Sequence, residues 1–393
     1  TRETGGEGRR QAAAALGGLA VGRFRSRLVP LMLDPDPAVA REAIRSAGRG
    51  GGPEDLLVPP LVSLLRNRSL HDAARGVLVS RGEGVVEALG HFLAEEAEDV
   101  EVRRHIPATL ARIPSQRSVD LLLASLGRED EIVRDQALAA LERLRREHPA
   151  LAFARGPVEE RSLAEGRQAL RCLSLRFNLL RDDGQGSLLD RALEERRERS
   201  VDRVYRLLGL VFPWRDVAVA RRGMEGDARA HARAAEYLDN MLKGPLRRWL
   251  MPLLEEAPLE EKAQRANALL RTRVRDVEDT LAQLVHDDEE ALAAAAIHRV
   301  EEKGLWRLAD DLEHVLEHRP ARDQLVFESA SWALAAHRMP AEARRSRWRE
   351  SLPAVVAAER LRGVALLRFA SVGQLLRLAA AGRTARPEPG DLL

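Results

Sequence analysis

A pattern that returns about every 31 residues limits the fold of this chain more than any other feature. Counting back from Val133, the same setting recurs at Val102, Leu70 and Val39. An Asp or Asn stands three residues before each of these four anchors: Asp36, Asn67, Asp99 and Asp130. Small or apolar residues stand four and eight positions after the anchors, at Ala43, Ala74, Ile106 and Ala137 and at Ala47, Leu78, Leu110 and Leu141. A repeat of this length is typical of an array of small structural units.

Each repeat predicts two helices. The anchor and the positions four and eight residues later fall on one face of a helix. The preceding Asp or Asn can accept hydrogen bonds from the free backbone N–H groups at the start of that helix. Another apolar segment precedes each anchored helix: Leu28 to Leu33, Leu61 to Leu65, Leu89 to Leu93 and Leu121 to Leu126. Stacked pairs of helices predict an all-α chain with the architecture of an α-solenoid.

The start of the anchored helix resembles the second helix of HEAT repeats. The segments Asp99-Val100-Glu101-Val102-Arg103 and Asp130-Glu131-Ile132-Val133-Arg134 carry the resemblance. The Asp36 repeat fits with Arg41 displaced by one position, and the Asn67 repeat has His71 in place of the Arg. The resemblance implies that Asp36, Asn67, Asp99, Asp130, Arg103 and Arg134 are structural and link one repeat to the next.

The repeat regularity divides the sequence into four segments. Residues 1–150 hold the regular HEAT-like repeats, and residues 151–275 form a divergent helical middle region with amphipathic stretches. The spacing returns in residues 276–345 as two divergent HEAT-like repeats, anchored at Leu292 and Leu325. Ala296 and Val300 stand four and eight residues after Leu292, and Ser329 and Ala333 stand at the same distances after Leu325. Neither repeat has an Asp three residues before its anchor.

Residues 346–393 change character and end in Arg386-Pro387-Glu388-Pro389-Gly390-Asp391. With Leu367 and Phe369 before a predicted helix from Gln374 to Ala380, this segment resembles the opening of a cyclic nucleotide-binding domain. We therefore interpret it as a linker helix followed by the truncated start of such a domain. The ligand-binding cassette of the family would come after Leu393. The chain does not begin with Met, and we interpret it as part of a longer protein.

The composition excludes several classes of function. The 63 basic and 61 acidic residues nearly cancel, which gives no electrostatic argument for nucleic-acid binding. The single cysteine, Cys172, excludes an intramolecular disulfide and a cysteine-based zinc site. No stretch of 18 apolar residues predicts a membrane span. Aromatic residues make up only 4%, so the core must be built mainly from Leu, Ala and Val.

Three features of the sequence invite a chemical interpretation, but each fits a structural role better. His314 and His318 share a helix face, but Val315 replaces the Glu of the metalloprotease motif. The acidic run 286–290 lacks the alternating ligands and the central Gly of a calcium loop, and it fits a helix start. Cys172 lies on an apolar helix face, where a free thiol is unreactive. The sequence predicts no catalytic residue, no metal and no cofactor.

The basic cluster Arg344, Arg345, Arg347 and Trp348 stands at the predicted join between the repeats and the last segment. Arg beside Trp can contact nucleic acid or an anionic membrane surface, but Trp is also a common anchor where two domains meet. We favour an interdomain contact. A second cluster, Arg247-Arg248-Trp249, has the same composition.

These observations predict a non-enzymatic scaffold that binds a protein partner or a neighbouring domain of the same polypeptide. The combination of HEAT-like repeats with the start of a cyclic nucleotide-binding domain resembles the soluble part of bacterial proteins related to ATP/ADP translocases. That resemblance implies a cytoplasmic regulatory region attached to an upstream transporter domain. The alternatives are a free cytosolic HEAT adaptor, a HEAT-scaffold enzyme similar to a glycosylase or a bilin lyase, and a nucleic-acid-binding protein.

Overall fold

The structure is a computed structural model, and it describes residues 5–18, 22–49, 55–183, 186–319, 323–340, 343 and 352–382. Within these ranges the regular structure is helical and includes no strand, so the predicted all-α class is confirmed. The first nine α-helices are α1 (Gly6–Gly18), α2 (Leu28–Met32), α3 (Pro37–Gly48), α4 (Val58–Ser63), α5 (His71–Ser80), α6 (Val86–Ala94), α7 (Val100–Leu110), α8 (Gln116–Ser125) and α9 (Glu131–Glu147).

The remaining described helices include two that are much longer than the rest. They are α10 (Arg155–Asp183), α11 (Leu188–Val211), α12 (Trp214–Met224), α13 (Ala228–Met241), α14 (Gly244–Leu254), α15 (Leu259–Leu270), α16 (Val277–Val285), α17 (Glu290–Lys303), α18 (Ala309–His318), α19 (Gln324–Arg338), α20 (Ala354–Leu361) and α21 (Val372–Ala381). With 29 and 24 residues, α10 and α11 interrupt the short-helix pattern.

The chain forms two compact units, each with its own hydrophobic core. Unit 1 comprises Thr1–Ser162 and Tyr205–Glu225, and unit 2 comprises Leu163–Val204 and Gly226–Leu393. The boundaries fall inside α10 and α11, so the middle region 151–275 supplies residues to both units. The packing units therefore do not coincide with the four segments recognised in the sequence.

Within unit 1 the helices stack as the repeat pattern predicts. The pairs α2 with α3, α4 with α5, α6 with α7 and α8 with α9 are in contact, and α1 packs on α3. The second helices also contact each other in succession, from α3 through α5 and α7 to α9. All twelve residues at the anchor, four-residue and eight-residue positions are buried. This part of unit 1 is a solenoid-like stack of helix pairs.

Three of the four predicted helix caps are confirmed. Asp36, Asp99 and Asp130 are the N-cap residues of α3, α7 and α9, and each side chain accepts a backbone N–H at 2.9 Å. The expectation that Asn67 caps a helix directly is wrong. Its side chain accepts from Ser69 N at 3.0 Å within a turn, and α5 begins only at His71. The extra turn separates the Asn from the helix start.

Unit 2 contains the two divergent repeats, as α16 with α17 and α18 with α19. In the first, Leu292, Ala296 and Val300 are fully buried, as the spacing predicts. In the second, the predicted positions Ser329 and Ala333 are buried, but the anchor Leu325 is only partly covered and its neighbour Val326 is buried instead. The buried face of α19 includes Val326, Ala330 and Ala333. Ala330 and Ala333 stand four and seven residues after Val326, which places the three residues on one side of the helix.

The last two described helices also belong to unit 2 through their packing. The residues Val355, Ala358, Leu375 and Leu376 are buried in its core. The helix α21 contains the predicted helix from Gln374 to Ala380, and Ser371 and Gln374 form a capping box at its start. Phe369 is 82% exposed. The Pro389-Gly390-Asp391 turn lies outside the described residues, so the start of a cyclic nucleotide-binding domain stays a prediction.

Candidate functional site

Successive repeats of unit 1 are joined by arginines that reach the turn before the next second helix. Arg66 donates to Asp99 at 2.6 Å, and Arg104 donates to Asp130 at 3.4 Å. Arg41 Nε lies 3.5 Å from the carbonyl oxygen of Ser69 in the corresponding turn of the next repeat. The carboxylates that cap α7 and α9 thus also bind the preceding repeat.

The arginines that the HEAT resemblance implies as links, Arg103 and Arg134, make different contacts. Arg134 donates to the carbonyl oxygens of Arg128 and Glu129, in the turn before its own helix. Arg103 is half-buried, and its Nε has no hydrogen-bond partner among the described residues. The links come instead from the next helical position, occupied by Arg41 and Arg104, and from Arg66. A step of one residue turns a side chain by about 100° around a helix, which is enough to redirect it.

A cationic cavity of about 200 Å³ lies in unit 1, beside the last second helix of the stack. We call it the Arg pocket. Its walls come from α9, from the part of α11 that belongs to unit 1, and from α12. The lining residues are Glu142, Arg145, Arg146, Tyr205, Arg206, Gly209, Leu210, Trp214, Val217, Ala218 and Arg221.

The turn between α11 and α12 brings the third wall of the Arg pocket into place. Pro213 is the N-cap of α12 and stands two residues after the end of α11 at Val211. Gly209 packs against the first residue of α12, since a Cβ added there would lie 3.6 Å from Trp214 Cβ, an ordinary contact distance. Val217 and Ala220 on α12 are buried, which fixes the helix against the core.

Four guanidinium groups and one carboxylate line the Arg pocket, which gives it a net charge of +3 with Tyr205 neutral. Glu142 accepts from Arg206 Nε and from a terminal nitrogen of the same guanidinium, at 3.1 and 2.8 Å. Arg146 Nε donates to the backbone oxygen of Glu142 at 3.2 Å. Arg145 Nε is buried without a hydrogen-bond partner among the described residues, and its guanidinium lies 5.5 Å from the Phe153 ring centre.

Tyr205 and Trp214 give the Arg pocket aromatic surface. Tyr205 is buried, and this burial raises the pKa of its hydroxyl to about 12, although nearby Arg221 acts in the opposite direction. The hydroxyl therefore keeps its proton at neutral pH and can donate a hydrogen bond. Trp214 is 38% exposed, and the Arg215 guanidinium lies 5.0 Å from its ring centre. The arrangement is suited to hold an anion that carries an apolar or aromatic group.

The rings of His314 and His318 contact each other in unit 2, together with the ring of His286. The rings of His314 and His318 stack with centres 4.0 Å apart, and the ring of His286 packs edge-on against His314. His286 Nε2 lies 2.9 Å from a carboxylate oxygen of Asp311. Throughout the described ranges, no group of His, Cys, Asp and Glu has the geometry to hold a metal ion.

The acidic run 286–290 spans the turn between α16 and α17 and the first residue of α17, and two of its carboxylates pair with arginines. Each carboxylate oxygen of Asp287 lies 2.8 Å from Arg196 Nη1, which donates to them. Asp287 also accepts from the backbone N–H of Glu289. Glu289 accepts from Arg199 at 2.7 Å. The run stands at the start of α17, as predicted, but its N-cap residue Glu289 makes no side-chain capping hydrogen bond.

Cys172 is fully buried on α10, and desolvation by burial raises the pKa of its thiol to about 11. Gln168 Nε2 donates a hydrogen bond to Cys172 Sγ at 3.7 Å. A protonated, inaccessible thiol is not a nucleophile.

Of the two basic clusters, Arg247-Arg248-Trp249 lies within the described residues. Arg247 donates to both oxygens of Asp239, at 2.6 and 2.9 Å, and the Arg167 guanidinium lies 5.0 Å from the ring centre of Trp249. That cluster therefore makes contacts within unit 2. Arg344, Arg345, Arg347 and Trp348 lie outside the described residues, so their interdomain contact stays a prediction.

Comparisons with known proteins leave the family open. No family model matches the chain, and no curated protein matches it. The crystal structure of an engineered protein aligns at 15% identity over 96% of this chain and 95% of that chain, with a TM-score of 0.25. A homology model of the full-length AP-3 complex in an intermediate open conformation contains a chain that aligns at 11% identity. That alignment covers 93% of this chain and 60% of the other, with a TM-score of 0.28. Scores this low carry no argument about function.

No helix in the described part of the chain has the length and apolar character that crossing a bilayer requires.

Proposed function

We propose that this chain is a non-enzymatic scaffold whose unit 1 binds a protein segment or a neighbouring domain along its second helices. The observation that carries the proposal is the unbroken contact from α3 through α5 and α7 to α9, with every anchor position buried beneath it. Stacking of this kind places the solvent-facing sides of successive second helices next to each other. Such a surface suits recognition through many modest contacts.

The exposed residues of the second helices have the mixed character of a protein-binding surface. They include Arg45 on α3, Asp72 on α5, Gln136 on α9 and the half-exposed Ile132. Ile132 is 46% exposed, although it is a large apolar residue at the start of α9. Positive and negative side chains alternate with small residues, so no single charge dominates this surface. We therefore favour a folded partner or domain over a polyanion.

Site-specific photocrosslinking in cells tests this proposal. A photoreactive residue placed at Arg45, Glu101 or Gln136 reports on the second helices, and the same residue at Ser63, Asp120 or Ala124 reports on the first helices. All six positions are exposed. We expect one crosslinked product, formed from the three second-helix positions. It should be lost from the Arg45 position when Gln136 is changed to Glu or Glu101 to Arg. Equal crosslinking from both sets of positions would overturn the proposal.

The larger assembly is a separate part of the proposal and depends on the resemblance of residues 346–393. We propose that the chain is the regulatory region of a nucleotide-transporter-like protein and relays the state of a following cyclic nucleotide-binding domain. The coding sequence on either side of residues 1–393 tests this. Hydrophobic spans upstream and a β-roll with a phosphate-binding cassette downstream are the expected findings, and their absence would contradict this part alone.

A further inference from the structure

We infer that the Arg pocket binds a phosphate monoester whose phosphate is attached to a single aromatic ring. Every residue of the pocket lies within unit 1. The inference does not depend on the scaffold proposal, because it makes no use of the repeat stacking from which that proposal is argued. It rests on three properties of the pocket: its charge, its size and its apolar wall.

The charge of the Arg pocket favours a dianion. One of its four guanidinium groups, that of Arg206, is engaged by Glu142. Arg145 and Arg146 add two further positive charges to the same cavity. Arg221 adds a fourth guanidinium, whose Nε lies 4.0 Å from a carboxylate oxygen of Glu225. A carboxylate is satisfied by one bidentate Arg, whereas a phosphate dianion has three oxygens that can accept from several guanidinium groups at once. The protonated hydroxyl of Tyr205 is a further donor in the pocket.

The size of the Arg pocket limits what can be attached to the phosphate. Its volume is about 200 Å³. Pockets for drug-sized ligands span roughly 300 to 1,000 Å³. The cavity therefore suits a phosphate with one ring and is too small to enclose a nucleoside triphosphate.

The apolar wall shows what kind of group accompanies the anion. Leu210, Val217 and Ala218 line the cavity together with the rings of Tyr205 and Trp214. A bare inorganic anion would leave this apolar surface without a partner. An aryl group would cover it and could pack against the exposed part of Trp214. Both a small aryl phosphate and a phosphotyrosine side chain have this chemistry.

Calorimetric titration of the full chain with phenyl phosphate tests the inference. We expect phenyl phosphate to bind at least about tenfold more tightly than benzoate or inorganic phosphate, because each control lacks one of the two features. Absence of phenyl phosphate binding at millimolar concentration, or benzoate binding of equal strength, would overturn it. A phosphotyrosine peptide is titrated in parallel. Tighter binding of the peptide assigns the ligand to a protein partner, and equal binding assigns it to a small ester.

Matched variants on α9 localise the binding. Arg145 lines the Arg pocket, whereas Arg143 is exposed on the same helix and pairs with Glu147. We expect Arg145→Gln to weaken phenyl phosphate binding about tenfold or more, and Arg143→Gln to leave it unchanged. Arg221→Gln, on α12, serves as a second test in case Arg145→Gln impairs folding, which thermal melts of each variant would show. Equal losses in Arg143→Gln and Arg145→Gln would contradict the assignment.

Discussion

Arg66 and Asp99 join two successive repeats through a single hydrogen-bonded ion pair, with 2.6 Å between Arg66 Nη1 and Asp99 Oδ2. The other carboxylate oxygen of Asp99 accepts from Glu101 N at 2.9 Å and so closes the start of α7. The hydrogen bond from Arg66, followed by that from the Glu101 backbone, lowers the pKa of Asp99. One side chain therefore ends a turn, starts a helix and connects two repeats. Asp130 has the same double role, with Arg104 as its partner.

Replacing Asp130 with Ala should destabilise unit 1 by about 1 kcal/mol, because the variant loses the N-cap hydrogen bond of α9. Asp130→Asn is the matched control, since Asn keeps a capping oxygen and removes the charge that faces Arg104. We expect the Asn variant to retain most of the stability. Urea unfolding followed by circular dichroism measures both. A loss in Asp130→Asn as large as that in Asp130→Ala would show that the ion pair, and not the cap, carries the effect.

The small residue at the four-residue position should be required for close helix packing. Ala137 is fully buried on α9, while Ala139, two residues later, is exposed on the same helix. We expect Ala137→Leu to lower the free energy of unfolding by about 1 to 3 kcal/mol through overpacking. Ala139→Leu should change it by less than about 0.5 kcal/mol. Denaturant midpoints compare the two variants, and similar values for both would show that α9 can move to admit the larger side chain.

The end of α1 offers a second matched pair of substitutions. A Cβ added at Gly17 would lie 2.6 Å from Ser46 Cβ and 2.9 Å from the Cα of the same residue, whereas one added at Gly18 would meet nothing within 4 Å. Because the backbone of α3 cannot yield as a flexible side chain would, Gly17→Ala should destabilise the packing of α1 on α3. Gly18→Ala should be neutral or slightly stabilising.

Hydrogen exchange of the α1 amides and thermal melts distinguish these two variants. We expect faster exchange throughout α1 in Gly17→Ala and unchanged exchange in Gly18→Ala. Unchanged α1 protection in Gly17→Ala would mean that the close approach of Gly17 to Ser46 contributes nothing to the docking of this helix.

The repeated fold was predictable because its determinants are local. Apolar residues at every third or fourth position and an Asp or Asn before each second helix are visible within a few residues, and they predicted the four helix pairs of unit 1. The choice of the linking arginines was not predictable from the motif. Arg103 and Arg104 are adjacent, and only the orientation of α7 relative to the next repeat decides which of them reaches Asp130.

The Arg pocket could not be found in the sequence because its residues are distant along the chain. Glu142 and Arg145 lie on α9, while Arg206 and Arg221 come from helices more than 55 residues further on. Arginines are frequent throughout this chain, so no local excess marks the four arginines of the pocket. The ion pair between Glu142 and Arg206 depends on how the middle region folds back on the repeats within unit 1. The loss of regular spacing after residue 150 removed the signal that would have predicted this.

Stability should depend on pH through His105. Burial is the main cause that lowers its pKa below the ordinary 6.5, and nearby Arg75 and His71 act in the same direction, while Glu101 opposes them. The ring of His71 lies 5.8 Å away. The folded state therefore binds a proton at His105 less readily than the unfolded state. The free energy of unfolding falls for this reason as the pH drops below about 6.5, the ordinary pKa of the unfolded chain. The fall stops once the pH is below the pKa of His105 in the folded state.

The variant His105→Gln should remove this part of the pH dependence. We expect its free energy of unfolding to fall less steeply than that of the wild type between about pH 7.5 and pH 5. Urea titrations across this range measure the two curves, and curves that run parallel would exclude His105 as their origin. His91→Gln, an exposed histidine on α6, is the control.

The thiol of Cys172 should react only when unit 2 opens. Its sulfur is buried in the core formed with Leu175, Leu292 and neighbouring residues, and burial raises its pKa to about 11. At about pH 8 only about one thiol in a thousand would be ionised even if reagent could reach it. We expect the native protein to react with a disulfide reagent orders of magnitude more slowly than glutathione, and the urea-unfolded protein to react at the rate of a free thiol. Because the chain has one cysteine, a single equivalent of released chromophore reports on this site alone. A native rate close to that of glutathione would show that α10 exposes Cys172 readily, contrary to its full burial.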